Sequence, residues 1–126
     1  ILTPHYGEFC RVFKYSKKIS KIDNCINACK LIKNTIIFKG NDTIVCFPNG
    51  KVYVDVESKN SLATAGTGDM LCGMIAGLIS QGINIKDSVL GSIFLQSQIS
   101  REKNKTIVED FIELIPKTLN LIKNSN

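Results

Sequence analysis

Residues Thr35-Ile36-Ile37-Phe38 form a continuous apolar run that stops abruptly at Lys39-Gly40. The run is too short for a helix of its own, and without polar alternation it suits a strand buried on both faces. Around it the pattern is equally ordered. Ser20 with Asp23 resembles a capping arrangement, and Ile22, Ile26, Cys29 and Ile32 recur at helical spacing, which predicts one buried helix face. Thr43 to Phe47, the turn signal Pro48-Asn49-Gly50, and Lys51 to Val56 read as a hairpin. Downstream, a polar stretch from Glu57 to Thr67 leads into a helix from about Asp69 to Gln81, stopped by Gly82. Another helix is predicted from Ile85 or Lys86 to about Ser100. A last one carries a Thr106/Glu109 capping box and the stripe Phe111, Ile112, Ile115, Leu119 and Ile122, with Pro116 expected to kink it or begin a second helix. Helix, buried strand, hairpin and further helices predict a three-layer α/β domain.

Three recognisable strands fall below the usual sheet of about five or six. The chain also opens on Ile1-Leu2, without methionine, and runs at once into Thr3-Pro4, so a piece of something longer is expected. The 126 residues suffice for one core. The longest nearly uncharged apolar run, Met70 to Ile79, is far short of the ~20 residues that cross a bilayer, so no membrane partner is expected. No signal-peptide pattern opens the chain, and five cysteines make no even disulfide set, which points to a reducing cytoplasm. The net charge of +5 comes from fourteen lysines and only two arginines, mostly dispersed and without aromatic interleaving. A solvated surface, not a nucleic-acid patch, is the expected reading.

The sharpest local signal is Ala63-Thr64-Ala65-Gly66-Thr67-Gly68-Asp69, where a loop enters a helix. Small residues let successive backbone N–H groups turn toward one point, and the helix N-terminus adds partial positive charge, so Gly66, Thr67 and Gly68 form a candidate anion nest for a phosphate. Asp69 suits a helix start for capping and dipole reasons alone. Beside a phosphate nest it could equally take a proton from a hydroxyl attacking a phosphoryl group. The spacing is neither a dinucleotide fingerprint nor a Walker loop. Lys39 could reach a nucleotide phosphate from the end of its strand, with Gly40 permitting close backbone approach and Thr43 offering a hydroxyl, or it could simply be solvated. His5, the only histidine, is expected in a loop bracketed by Pro4 and Gly7. Cys25 and Cys29 lie one turn apart without further ligands, and all five cysteines are expected to be buried, inert thiols. Gly73 and Gly77, four apart, predict a close approach by another element.

Taken together these segments resemble a known family. Thr3-Pro4-His5-Tyr6-Gly7-Glu8-Phe9, Phe38-Lys39-Gly40 followed by Thr43-Ile44-Val45, Leu62 to Leu71, Gly73-Met74-Ile75-Ala76-Gly77-Leu78, Gln81-Gly82 and the ending from Asp110 to Pro116 are similar, in order, to the NAD(P)H-hydrate dehydratases of the ribokinase-like superfamily. The resemblance implies a ribokinase-like fold, of which this would be the C-terminal portion. It also implies dehydration of the S form of hydrated NADH or NADPH at the expense of ADP or ATP with Mg²⁺. By carry-over, His5 and Asp69 would contact the hydrated nicotinamide nucleotide, with Asp69 as base. Lys39, Gly40, Asn41, Asp42, Thr43 and Gly68 would hold the adenine nucleotide. A homo-oligomer and an epimerase domain fused upstream are left open by the resemblance.

The chain departs from the pattern in three places. The glycine- and proline-rich stretch before Leu62 is replaced by Glu57 to Ser61, the proline usual after the histidine is Tyr6, and the helix that often carries His-Gly and Ala-Gly-Asp reads Leu95-Gln96-Ser97-Gln98-Ile99-Ser100-Arg101. The family's first βα units have no counterpart before Ile1. Two other functions fit the same residues: a small-metabolite kinase acting on a vitamin precursor alcohol, which would accumulate a stable phosphorylated product, and a non-catalytic nucleotide-binding remnant.

Overall fold

A computed structural model describes residues 1–56, 65–101 and 108–124. The chain folds as two compact units, Ile1–Val56 and Glu57–Asn126. In the first, α1 (Tyr6–Val12) and α2 (Lys21–Ile32) precede β1 (Ile36–Phe38), β2 (Thr43–Cys46) and β3 (Val52–Asp55). The second holds α3 (Thr67–Ser80), α4 (Ile85–Ile99) and α5 (Val108–Asn124). Among the described residues, no helix is long and apolar enough to cross a membrane.

The sheet order is β1-β2-β3, antiparallel throughout, with Ile37 opposite Val45 and Val45 opposite Tyr53. The hairpin forms where the sequence predicts it: Gly50 takes φ +84°, a left-handed conformation that favours glycine, and its N–H donates to the Phe47 carbonyl at 2.9 Å. All three residues of β1 are fully buried, as its unbroken apolar run predicts. Ile36 and Phe38 share a core with Phe9, Phe13, Cys25, Ala28, Cys29, Ile44 and Cys46. At its centre the Phe9 and Phe38 rings stack at 4.1 Å.

Several expectations are corrected. The segment after Pro4 is not a loop but α1, because the His5 imidazole accepts the Glu8 N–H while the Glu8 carboxylate accepts the His5 N–H, a capping box at an atypical residue. Ser20 caps α2 as predicted, yet the helix buries Asn24, Cys25, Ala28 and Cys29 and leaves Ile22 exposed. Asn24 is tolerated inside because its amide donates to the carbonyls of Ser16 and Ser20, each at 2.9 Å. Its Oδ1 also accepts the Ser16 N–H at 2.8 Å. Cys10 and Cys72 are exposed, whereas the other three thiols are buried. The Cys25 thiol is pushed well above its ordinary range by its hydrogen bond to Cys46 and by burial, which keeps it protonated and inert.

In the second unit, α3 begins at Thr67, two residues earlier than predicted, and Gly82 follows its C-cap at φ +84°. Among the described residues, nothing approaches Gly73 or Gly77: a β-carbon on either would meet no atom within 4 Å. The α5 helix continues through Pro116 as one element, with Phe111 buried and Ile112 exposed, so the core face runs through Phe111, Leu114 and Ile115. Glu57 to Thr64, with the first residues of the glycine-rich segment, and Thr106 of the expected capping box lie outside the described residues.

Removing the Ser20 cap gives a direct check on α2. Its hydroxyl accepts the Asp23 N–H at 3.0 Å and donates to the Asp23 carboxylate at 2.6 Å. Ser20→Ala is expected to lower stability by about 1 kcal/mol, read as a shift in denaturant midpoint at unchanged slope.

Candidate functional site

The first unit brings His5 and the Lys39 loop together through backbone pairing. The Leu2 N–H donates to Thr35, and the carbonyls of Leu2 and Pro4 accept the N–H groups of Ile37 and Lys39, at 2.8 to 2.9 Å. Leu2 thereby forms a parallel bridge with Ile36. Both segments run the same way and finish side by side, one at His5 and the other at Lys39-Gly40. This is the carboxyl edge of a parallel pair, the kind of edge where open α/β sheets bind ligands.

His5 is exposed, and its Nδ1 accepts the Glu8 N–H at 3.2 Å. With Nδ1 occupied as an acceptor, neutral His5 carries its ring proton on Nε2, which stands 3.5 Å from Glu8 Oε1. The His5 backbone N–H, above all, holds the Glu8 carboxyl below its usual range, and the nearby His5, Lys39 and Arg11 charges add to this. Glu8 therefore stays anionic around neutral pH, keeping the cap closed. Lys39 is half-buried, Gly40, Asn41 and Asp42 are exposed, and Thr43 is buried where it opens β2 opposite Asp55.

The second unit builds the glycine-rich segment. Gly66 is the N-cap of α3 at φ +87°, ψ −14°, a left-handed conformation followed directly by helix, and with no side chain it supplies no cap. That sequence of backbone states turns consecutive N–H groups the same way, the geometry of an anion nest. Thr67 and Gly68 open the helix and Asp69, exposed, occupies its third position. Asp69 stands where a carboxylate is stabilised by the helix dipole, so its capping and chemical readings share one position.

Sequence reasoning did not find the residues that hold this turn. Gln96 on α4 is buried, and its amide donates to the Thr67 carbonyl at 2.8 Å. It lies in the helix segment that departs from the family pattern, which is the one signal that could have pointed to it. From α5, Val108 sits so close that a β-carbon on Gly66 would lie 2.9 Å from its Cγ1. Gln96→Met, nearly isosteric but without the donor, is expected to cost about 0.5 to 1.5 kcal/mol in denaturant unfolding.

Residues 1–119 match a family described as NAD(P)H-hydrate dehydratase. The chain is 32% identical over 98 residues to a bifunctional NAD(P)H-hydrate repair enzyme of Thermofilum pendens, a match covering 75% of this chain and 19% of that protein. It is 35% identical over 100 residues to an ADP-dependent (S)-NAD(P)H-hydrate dehydratase of Bacillus subtilis, covering 75% and 36%. Its structure is similar to that of an ADP/ATP-dependent NAD(P)H-hydrate dehydratase from Bacillus subtilis co-crystallised with ATP and Mg²⁺, with a TM-score of 0.84 at 24% identity, covering 94% of this chain and 47% of that one. A ribokinase-like superfamily protein from Enterococcus faecalis gives a TM-score of 0.78 at 25% identity, covering 94% and 43%. The fold is therefore part of a ribokinase-like α/β architecture, as the family resemblance implies. The chain spans less than half the length of each of these proteins.

Proposed function

Because the chain belongs to the NAD(P)H-hydrate dehydratase family, we propose that it forms the C-terminal, nucleotide-binding part of a domain that dehydrates the S form of hydrated NADH or NADPH using ADP or ATP. The observation that carries this reading is the left-handed Gly66 entering α3 with Asp69 three residues on. A phosphoryl group seated on the nest amides would place its reacting phosphorus close to the carboxylate. Asp69 takes the proton of the ring hydroxyl as that oxygen attacks the terminal phosphorus of the nucleotide, and the nucleotide leaves one phosphate shorter. The nest amides, Gly68 among them, stabilise the charge that develops on the phosphoryl oxygens. The ring nitrogen lone pair then expels inorganic phosphate, and loss of a proton from the neighbouring ring carbon restores the double bond.

In this reading His5 offers Nε2 to the hydrated nucleotide, while Lys39, Gly40, Asn41, Asp42 and Thr43 receive the adenine nucleotide. Mg²⁺ arrives as part of the nucleotide co-substrate. Reduced, buried Cys25, Cys29 and Cys46 suit a cytoplasmic setting. An epimerase domain upstream and a homo-oligomeric assembly belong to the same proposal, the former supported by the bifunctional name of a relative.

Product analysis of the full-length protein separates this from kinase activity. With hydrated NADH, ATP and Mg²⁺, phosphorus NMR is expected to show one inorganic phosphate released for each NADH formed. Accumulation of a stable phosphorylated alcohol would favour a small-metabolite kinase instead. Nucleotide binding with neither product would favour a non-catalytic remnant.

A further inference from the structure

Lys21 occupies an electrostatically unfavourable place, since a cation in the first turn of α2 faces the positive end of the helix dipole. Contacts 21 residues away explain it. The Lys21 ammonium donates to the Asp42 carbonyl and lies 3.4 Å from Asp42 Oδ1. It stands 4.8 Å above the centroid of Phe38, whose ring is fixed by its stack on Phe9. It also fills the space beside Gly40, where a β-carbon would come within 2.7 Å of Nζ. Its side chain is only 23% exposed, against 53% for Asp42, so this is not a freely solvated lysine.

These contacts touch the chain before, within and at the far end of the turn that joins β1 to β2. We propose that Lys21 is a positioning residue that holds the Lys39–Asp42 turn in its nucleotide-receiving shape. Gly40 is then glycine on account of the ammonium behind it as well as any ligand in front. The proposal rests on the functional reading above. A phosphate-facing loop between two short strands needs such a tie, because its own exposed residues bury too little to fix it.

The test compares Lys21→Met, which keeps the stem and loses the charge and donors, with Lys21→Arg, which keeps both, in the full-length protein. ADP and ATP affinities are measured by calorimetry, and steady-state kinetics are run with each substrate varied. Lys21→Met is expected to weaken nucleotide binding about tenfold. At saturating nucleotide, kcat and the KM for hydrated NADH stay within about twofold, and Lys21→Arg recovers most of the loss. If Lys21→Met does not fold, Lys21→Gln, which loses the charge but keeps a polar head, carries the same expectation for nucleotide binding. Unchanged nucleotide affinity in a folded variant, or an equal fall in every kinetic constant, overturns the positioning role. No nucleotide binding by the unsubstituted protein overturns the functional reading and this proposal with it, whereas equal binding by wild type and Lys21→Met overturns this proposal alone.

Discussion

Asp69→Asn in the full-length protein is expected to reduce turnover by about 10²- to 10⁴-fold, the usual contribution of a positioned general base. The substitution keeps shape and hydrogen-bonding capacity but cannot accept the hydroxyl proton. Because the lost interaction belongs to the transition state, kcat and kcat/KM should fall together. Nucleotide affinity should stay within about threefold, since the backbone N–H groups that would hold the phosphate do not depend on this side chain. Stability provides the counterweight. Asp69 sits in the first turn of α3, so removing its charge costs about 0.3 to 1 kcal/mol through the helix dipole, too little to explain a large kinetic loss. A folded Asp69→Asn protein with near-normal turnover would leave Asp69 as a helix-start acid and remove it from the chemistry.

The second large effect is expected at Gly66, where conformation and space both exclude a side chain. At φ +87° an L-residue pays about 1 to 2 kcal/mol relative to ordinary helix geometry. A new β-carbon 2.9 Å from Val108 Cγ1 forces a shift of α5 or of the turn itself, at a further cost of about 1 to 3 kcal/mol. Gly66→Ala should therefore destabilise the protein by about 2 to 5 kcal/mol and weaken nucleotide binding, because the nest amides lose their common direction. The two causes separate in a double-mutant cycle. Val108→Ala made in the Gly66→Ala background should recover the steric part and leave the conformational part, giving a coupling of about 1 kcal/mol or more. Strict additivity in denaturant unfolding would mean that Val108 does not constrain this turn.

The features that were legible in the sequence are those determined by neighbours along the chain. The apolar run into Lys39, the Pro48-Asn49-Gly50 turn, and the Ser20 and Gly82 helix boundaries all appear where local chemistry places them. Errors arose where a residue's role depends on something distant or unusual. Pro4 and Gly7 suggested a loop, yet Pro4 precedes the helix, where its missing N–H costs no helical bond, and Gly7 leaves room for the His5 ring, whose Cε1 would lie 3.1 Å from a β-carbon there. Periodicity counts only apolar residues and so misses the buried face of α2, where Asn24 finds carbonyl partners inside. It also overvalued Ile22, which the packed helix leaves outside.

The candidate site divides along the same line. Gly66, Gly68, Asp69 and Lys39 stand out by local spacing, and His5 stands out as a lone imidazole. The pairing of Leu2 with Ile36 that sets His5 beside Lys39 could not be read from either segment alone. Lys21 and Gln96 were illegible for the same reason, since each acts across more than twenty residues on a backbone carbonyl of the site. By charge alone Lys21 is one more lysine of a basic chain, and Gln96 is only a departure from the family pattern.

The most direct measurement is the recovery of reduced-nicotinamide absorbance when the full-length protein is added to hydrated NADH with ADP or ATP and Mg²⁺. Absorbance should return in proportion to the S form present, should require a nucleotide, and should stop when the nucleotide is exhausted. Folded protein that binds nucleotide but restores no absorbance with either ADP or ATP would contradict the assignment.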